Sequence, residues 1–231
     1  YKLKNTVTFG FVNWIGLWTL YKKEVLRFLI VWIQTLLSPI ISSLLFLLVL
    51  ALAIGNERAD VLGYPFITFL APGLIAMQVI QQAFSHSSSS FMIGKIQGNI
   101  VDILYAPLSP GEVTTAVVLA SATRSFMIAF ISIIIFYFLV DIEIRNIYAV
   151  IFFTLISSII LGCIGVIAGL WAEKFDHMAT VTSFIIVPLS FLSGTFYSIE
   201  RLPQILQTIS KCNPFFCLLY TSDAADDIRC V

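Results

Sequence analysis

The sequence predicts an all-α integral membrane protein, a polytopic helical bundle of five transmembrane helices with amphipathic helices at its interfaces. Three observations predict it. The 231 residues are 59% hydrophobic and 11% charged with mean hydropathy +0.97, whereas a soluble domain is about 45–50% apolar and about 25% charged. The charges gather in clusters that leave five apolar windows, each meeting the roughly 20 residues a helix needs to cross a hydrocarbon layer of about 30 Å. Runs such as Ile40 to Leu50 lack the alternation of a membrane β-strand. Lys+Arg and Asp+Glu both number 13, so bulk charge gives no sign of nucleic-acid binding, and Cys163, Cys212, Cys217 and Cys230 lack metal-ligand spacing.

Residues 1–27 form an N-terminal arm. Within it Phe11, Trp14, Ile15 and Trp18 share one helical face, and Lys22, Lys23 and Arg27 follow. Tryptophan favours the headgroup level and lysine can snorkel to water, which predicts an interfacial amphipathic helix. The five spans are expected at residues 28–54, 64–90, 111–140, 147–171 and 178–199, within a transmembrane domain covering 28–216. Lys2, Lys4, Lys22, Lys23 and Arg27 outweigh the lone Arg58 of the following loop, so the N-terminus is expected in the cytoplasm. That choice puts the interlude at 91–112 and the turn at 173–177 on the cytoplasmic side.

The interlude divides in two. Ile100, Ile103 and Leu104 repeat at helical spacing while Asn99 and Asp102 lie on other faces, predicting a short amphipathic helix over 97–105. It comprises Gln97, Gly98, Asn99, Ile100, Asp102, Ile103, Leu104 and Tyr105, and Ala106-Pro107 ends it, because the residue before a proline is pushed out of helical geometry. A second helix lying on the membrane would have the same pattern. Ser109-Pro110-Gly111-Glu112 reads as a capping box, with Ser109 and Glu112 satisfying each other's backbone groups and proline at the first helical position.

Arg124 falls inside the third span, where a guanidinium costs about 2.5–3.5 kcal/mol on insertion scales. It must face protein, water or a substrate headgroup. Pro188 and Gly194 predict a kink in the fifth span. Beyond it, Leu202, Ile205, Leu206 and Ile209 share a face, predicting an outer re-entrant or interfacial helix over 202–211. Thr221 to Val231 turns abruptly polar and acidic, so 217–231 is expected to be a non-native tail.

No catalytic, cofactor-binding or metal-binding residue is expected. Gly94-Lys95 lacks the glycines and Ser/Thr of a phosphate loop. Ser85-His86-Ser87-Ser88-Ser89-Ser90 puts hydroxyls beside an imidazole, but nucleophilic catalysis needs a base in reach and a group orienting it. Serines in a membrane helix can instead bond their own backbone and let helices approach.

Gly98-Asn-Ile-Val-Asp-Ile-Leu104, Ala106-Pro-Leu-Ser-Pro110, Phe191-Leu-Ser-Gly-Thr-Phe-Tyr197, Leu202-Pro203 and Asn213-Pro-Phe215 together resemble the ABC-2 type exporter permeases. The resemblance implies six spans, of which five are present, and a cytoplasmic coupling helix at 97–105. It also implies a separate ATP-binding subunit that holds ATP and Mg, and a second permease copy, giving a homodimer. The expected function is export of a hydrophobic or amphipathic substrate, such as a drug, lipid or lipid-linked glycan, across the bacterial inner membrane. This chain would contact membrane lipid and no nucleic acid, and it would hydrolyse nothing itself. Two other readings are an ion-driven secondary carrier, which would want mid-span acids and a repeated topology, and an intramembrane serine hydrolase.

Overall fold

The computed structural model describes residues 13–54, 66–139 and 147–191. Among these every regular element is helical. The elements are α1 (Trp14–Ile30), α2 (Ser38–Ile54), α3 (Phe66–Ile96), α4 (Ile100–Tyr105), α5 (Pro110–Leu139), α6 (Ile147–Trp171), α7 (Phe175–Val181) and α8 (Val187–Phe191). Wide π-helical turns at Ile33–Leu37 and Thr182–Ile186 lead into α2 and α8. The outer re-entrant helix expected at 202–211, the kink glycine Gly194 and the tail at 217–231 lie outside the described residues.

Both π turns have the same local cause. Pro39 and Pro188 each stand two residues beyond the end of one. Proline has no N–H for the helix ladder and crowds the carbonyl four residues earlier, and a π turn absorbs that crowding by widening the helix.

Three helical stretches are long and apolar enough to cross a membrane: Ile33–Leu52, Pro110–Leu139 and Val150–Trp171. The fifth expected span is represented by the apolar stretch Phe175–Phe191. α3 has the length to cross, with 31 residues or about 46 Å, but carries three glutamines, a histidine and five serines between Gln78 and Ser90. It can carry them because it is the central helix, packed by α2, α5 and α6. Membrane-exposed positions are apolar: Phe130, Tyr137, Phe138, Phe152 and Ile167 all face outward, an arrangement that suits lipid and would be unstable in water.

Two layers of core hold α3 in place. Leu70, Ala71, Leu74, Ile75 and Val79 pack with Leu47 of α2 and with Ala129 and Phe136 of α5. Further along, Ile80, Ala83, Phe84 and Met92 pack with Leu161, Met178 and Ile186.

The largest boundary differences from the sequence expectation are at the first and second spans. The first span was expected from residue 28, but α1 continues to Ile30 and the chain leaves helical geometry at Val31 (φ −107°, ψ 37°). The apolar run crosses this break unchanged, so hydropathy cannot locate it. The second span was expected to end at 90, whereas α3 extends to Ile96.

Candidate functional site

The α4 end of the bundle is built from local signals. α3 stops because Gly98 adopts φ +74°, a conformation open to glycine and strained for other residues. The helix expected over 97–105 therefore begins at Ile100: Gln97 and Gly98 form the turn, and Asn99 stands at the N-cap position without a side-chain capping bond. Ala106 is extended (φ −65°, ψ 143°) before Pro107. Ile100 rests on Gly94 of α3 and Ile103 is half-buried, while Gln97, Gly98, Asn99, Val101, Asp102 and Tyr105 are exposed. Tyr105 is 86% exposed, so α4 presents a protruding aromatic edge. The side chain of Leu104 is outside the described set.

After α4 comes a knot of hydrogen bonds. The Glu112 N–H donates to Ser109 Oγ at 3.3 Å, and the Ser109 N–H donates to Glu112 Oε2 at 2.7 Å. A capping box uses one carboxylate oxygen. Here the other, Oε1, accepts the Asn13 N–H at 2.6 Å. Asn13 is itself the N-cap of α1, its Oδ1 accepting the Gly16 N–H at 3.0 Å, and its Nδ2 donates to the Pro107 carbonyl at 3.2 Å. A Cβ on Gly16 would come within 2.6 Å of the Leu108 side chain, so glycine lets the first turn of α1 lie against the segment after α4.

Deeper in the bundle is a buried polar cluster where α1, α3, α5 and the first π turn meet. Arg124, 9% exposed, donates from Nη2 to Gln82 Oε1 at 2.6 Å and to the Thr35 carbonyl at 3.5 Å. Thr35 lies four residues before Pro39, so its carbonyl is the one whose ordinary helical donor the proline removes. Arg124 Nη1 lies 3.4 Å from His86 Nδ1. A guanidinium only donates, so Nδ1 accepts and Nε2 is left to carry the ring proton. Nε2 faces Glu24 Oε2 at 4.0 Å, and Glu24 in turn accepts the Ser90 hydroxyl at 2.8 Å and pairs with Arg27 at 3.0 Å. Lipid could not solvate these charges, so each needs a protein partner.

The serine run behaves as packing. Ser87 donates to the carbonyls of Ala83 and Phe84, Ser88 to that of Ser85, and Ser89 to that of His86. His86 is directed at Arg124 and Glu24 instead. Among the described residues no serine hydroxyl is bonded to the imidazole, and the geometry gives the hydrolase reading no nucleophile–base pair.

Pro188 lies in α8 directly after the second π turn. Glu24, Gln82 and Asn13 were missed by sequence reasoning. Leu20, Glu24 and Phe28 recur at helical spacing and are all buried, so that period could have put Glu24 on the inner face. Asn13 stands directly before the first residue of α1, which is the N-cap signal.

The architecture defines a class first: a polytopic helical membrane protein with a short exposed helix set between two long ones at one end. The profile of the ABC-2 type transporter family matches residues 16–223, and the chain belongs to that family. It is similar to the inner membrane transport permease YadH of Escherichia coli strain K12, 30% identical over 206 residues that cover 89% of this chain and 80% of YadH. It is also similar to nodulation protein J of Rhizobium leguminosarum bv. trifolii, 24% identical over 213 residues, covering 89% of this chain and 78% of that protein. No solved structure matches it. Family membership makes the chain the membrane subunit of an ABC transporter.

Proposed function

We propose that this chain is an exporter permease whose α4 receives the motion of a separate ATP-hydrolysing subunit. The observation that carries the reading is α4 itself, six residues long, flanked by the long helices α3 and α5, with Val101, Asp102 and Tyr105 exposed. A cleft on the ATPase that held this helix would move both long helices when it closed. ATP and Mg would be bound by the partner, and this chain would contribute no catalytic group.

The inner membrane named for YadH and the apolar helices support a multi-pass location in the bacterial inner membrane. The basic residues of the N-terminal arm support a cytoplasmic N-terminus, which would put α4 on the side where ATP is made. Two permease copies as a homodimer with two ATPases would form the working complex, with membrane lipid around it. The substrate would be hydrophobic or amphipathic: a drug, a lipid or a lipid-linked glycan.

Cysteines introduced singly at Val101, Asp102 and Tyr105, with the partner ATPase co-expressed, test the coupling contact. Cross-links that change in yield between ATP-bound and nucleotide-free states are expected. Absence of cross-linking at all three positions in every nucleotide state overturns the proposal.

A further inference from the structure

We infer that Glu112 is a positioning residue that locks the start of the interfacial helix α1 to the segment directly after α4, so that α1 and α4 move as one body when α4 is displaced. The inference rests on the coupling role proposed for α4, and concerns where its motion goes next.

The carboxylate is divided between two helix starts. Oε2 takes the Ser109 N–H of its own cap and Oε1 takes the Asn13 N–H at the start of α1. A helix cap alone explains the first bond but not the second, which joins residues 99 positions apart in the chain. Asn13 closes the loop by donating to the Pro107 carbonyl, two residues beyond the end of α4. Glu112 and Asn13 are both buried, so water does not compete for these bonds, and hydrogen bonds to an ionised acceptor are among the stronger ones. Gly16 fits against Leu108 in the same knot.

Further along, α1 is held to the long helices. Tyr21 bonds the Thr123 hydroxyl of α5 at 2.9 Å, and Glu24 accepts from Ser90 of α3 at 2.8 Å. α1 therefore ties together the two helices that flank α4. A push on α4 reaches α1 through the segment that follows α4, by the Pro107 carbonyl and by Glu112, and α1 returns it to α3 and α5 about two to three turns deeper into the bundle. Without the pin, α4 could tilt on its two short connections while α3 and α5 stayed in place.

Glu112→Gln separates the pin from the cap. Glutamine is accepted in a capping box, but its NH2 takes the place of one carboxylate oxygen, so either the Ser109 or the Asn13 N–H meets a donor instead of an acceptor. Spin labels on cysteines replacing Lys23 of α1 and Val101 of α4, both exposed, report whether the two helices move together. The background carries serine at Cys163, Cys212, Cys217 and Cys230. In nanodiscs, the wild-type carboxylate is expected to give one narrow distance distribution, unchanged when the ATPase and nucleotide are added. Glu112→Gln is expected to broaden it, and an unbroadened distribution overturns the inference.

In the assembled complex, transport per ATP hydrolysed is expected to fall about tenfold in Glu112→Gln, the factor a lost hydrogen bond to a charged group can carry. A proportional fall in transport and hydrolysis would mark Glu112 as merely structural and equally overturn it. Failure of α4 to contact any ATPase would instead remove the coupling reading, which the cross-links report separately from the label distances.

Discussion

The central helix α3 has two unlike sides. Against α6 it is held by shape: Gly165 and Gly169 form a smooth strip on α6, and a Cβ on Gly165 would overlap Ser87 Oγ and come within 2.7 Å of the Phe84 carbonyl. A Cβ on Gly169 would come within 2.7 Å of the Ser88 carbonyl. Against α1 and α5 it is held by direction: Gln82, His86 and Ser90 meet Arg124 and Glu24 through hydrogen bonds and charge. Small residues let membrane helices approach until their backbones touch, giving contact that has one good distance and little tolerance. Polar pairs hold over a range of distances and can exchange partners. The α6 side of α3 therefore tolerates little change in spacing, while the α1 and α5 side is fixed by which groups pair.

The sharpest way to break this comparison is at Gly165. Gly165→Leu is expected to prevent α3 and α6 from docking, with loss of monodisperse protein on size exclusion. Gly165→Ala should lower stability by about 2–3 kcal/mol, the upper part of the roughly 1–3 kcal/mol that extra volume costs in a packed site, read from the thermal midpoint in detergent. Retention of the wild-type midpoint in Gly165→Ala would mean that the seam is looser than the contact distances indicate.

On the polar side a smaller loss is expected. Arg124→Met gives up the bonds to Gln82 and His86 but also removes a guanidinium that is costly to bury in the membrane. Interhelical polar contacts in membranes are worth about 0.6 kcal/mol on average, so a net change of about 1 kcal/mol is expected in the same melt. A loss equal to that of Gly165→Ala would erase the distinction between the two sides.

The smallest effect belongs to Lys95, at the end of the glycine side. Its Nζ donates to the carbonyls of Gly169, Leu170 and Ala172 at 3.0, 2.5 and 2.9 Å, satisfying acceptors that the end of α6 leaves open. Lys95→Met should cost about 0.3–1 kcal/mol, as a cation at a helix C-terminus does. Hydrogen exchange confined to the last turn of α6 would register the loss.

Features set by neighbours in the chain were legible in the sequence. The bonds between Ser109 and Glu112 span three residues, and Ala106 before Pro107 is a steric rule. The all-α membrane class followed from composition, and Arg124 was identifiable from its place in an apolar run. What could not be read depends on distant partners. Glu24 stands beside Lys22 and Lys23 and looks solvated, yet Ser90 and His86 approach it from α3 and bury it. Asn13 and Glu112 are brought together only when α1 folds against the start of α5. The start of α4 was displaced because Gly98, placed inside the helix by pattern, acts as the breaker that ends α3.

The turn at Ile33–Leu37 has a consequence in the counting of residues. A π turn is an α-helix with one residue too many, so every side chain beyond it is rotated by about 100° from where an uninterrupted helix would carry it. Leu36, Ile40 and Leu47 reach the core with that surplus included. Deleting one residue in this stretch would close the turn and swing Leu47 toward lipid and a neighbouring side chain inward. Among aligned relatives, a one-residue gap here should therefore coincide with the loss of the proline at position 39, the two changing as a unit.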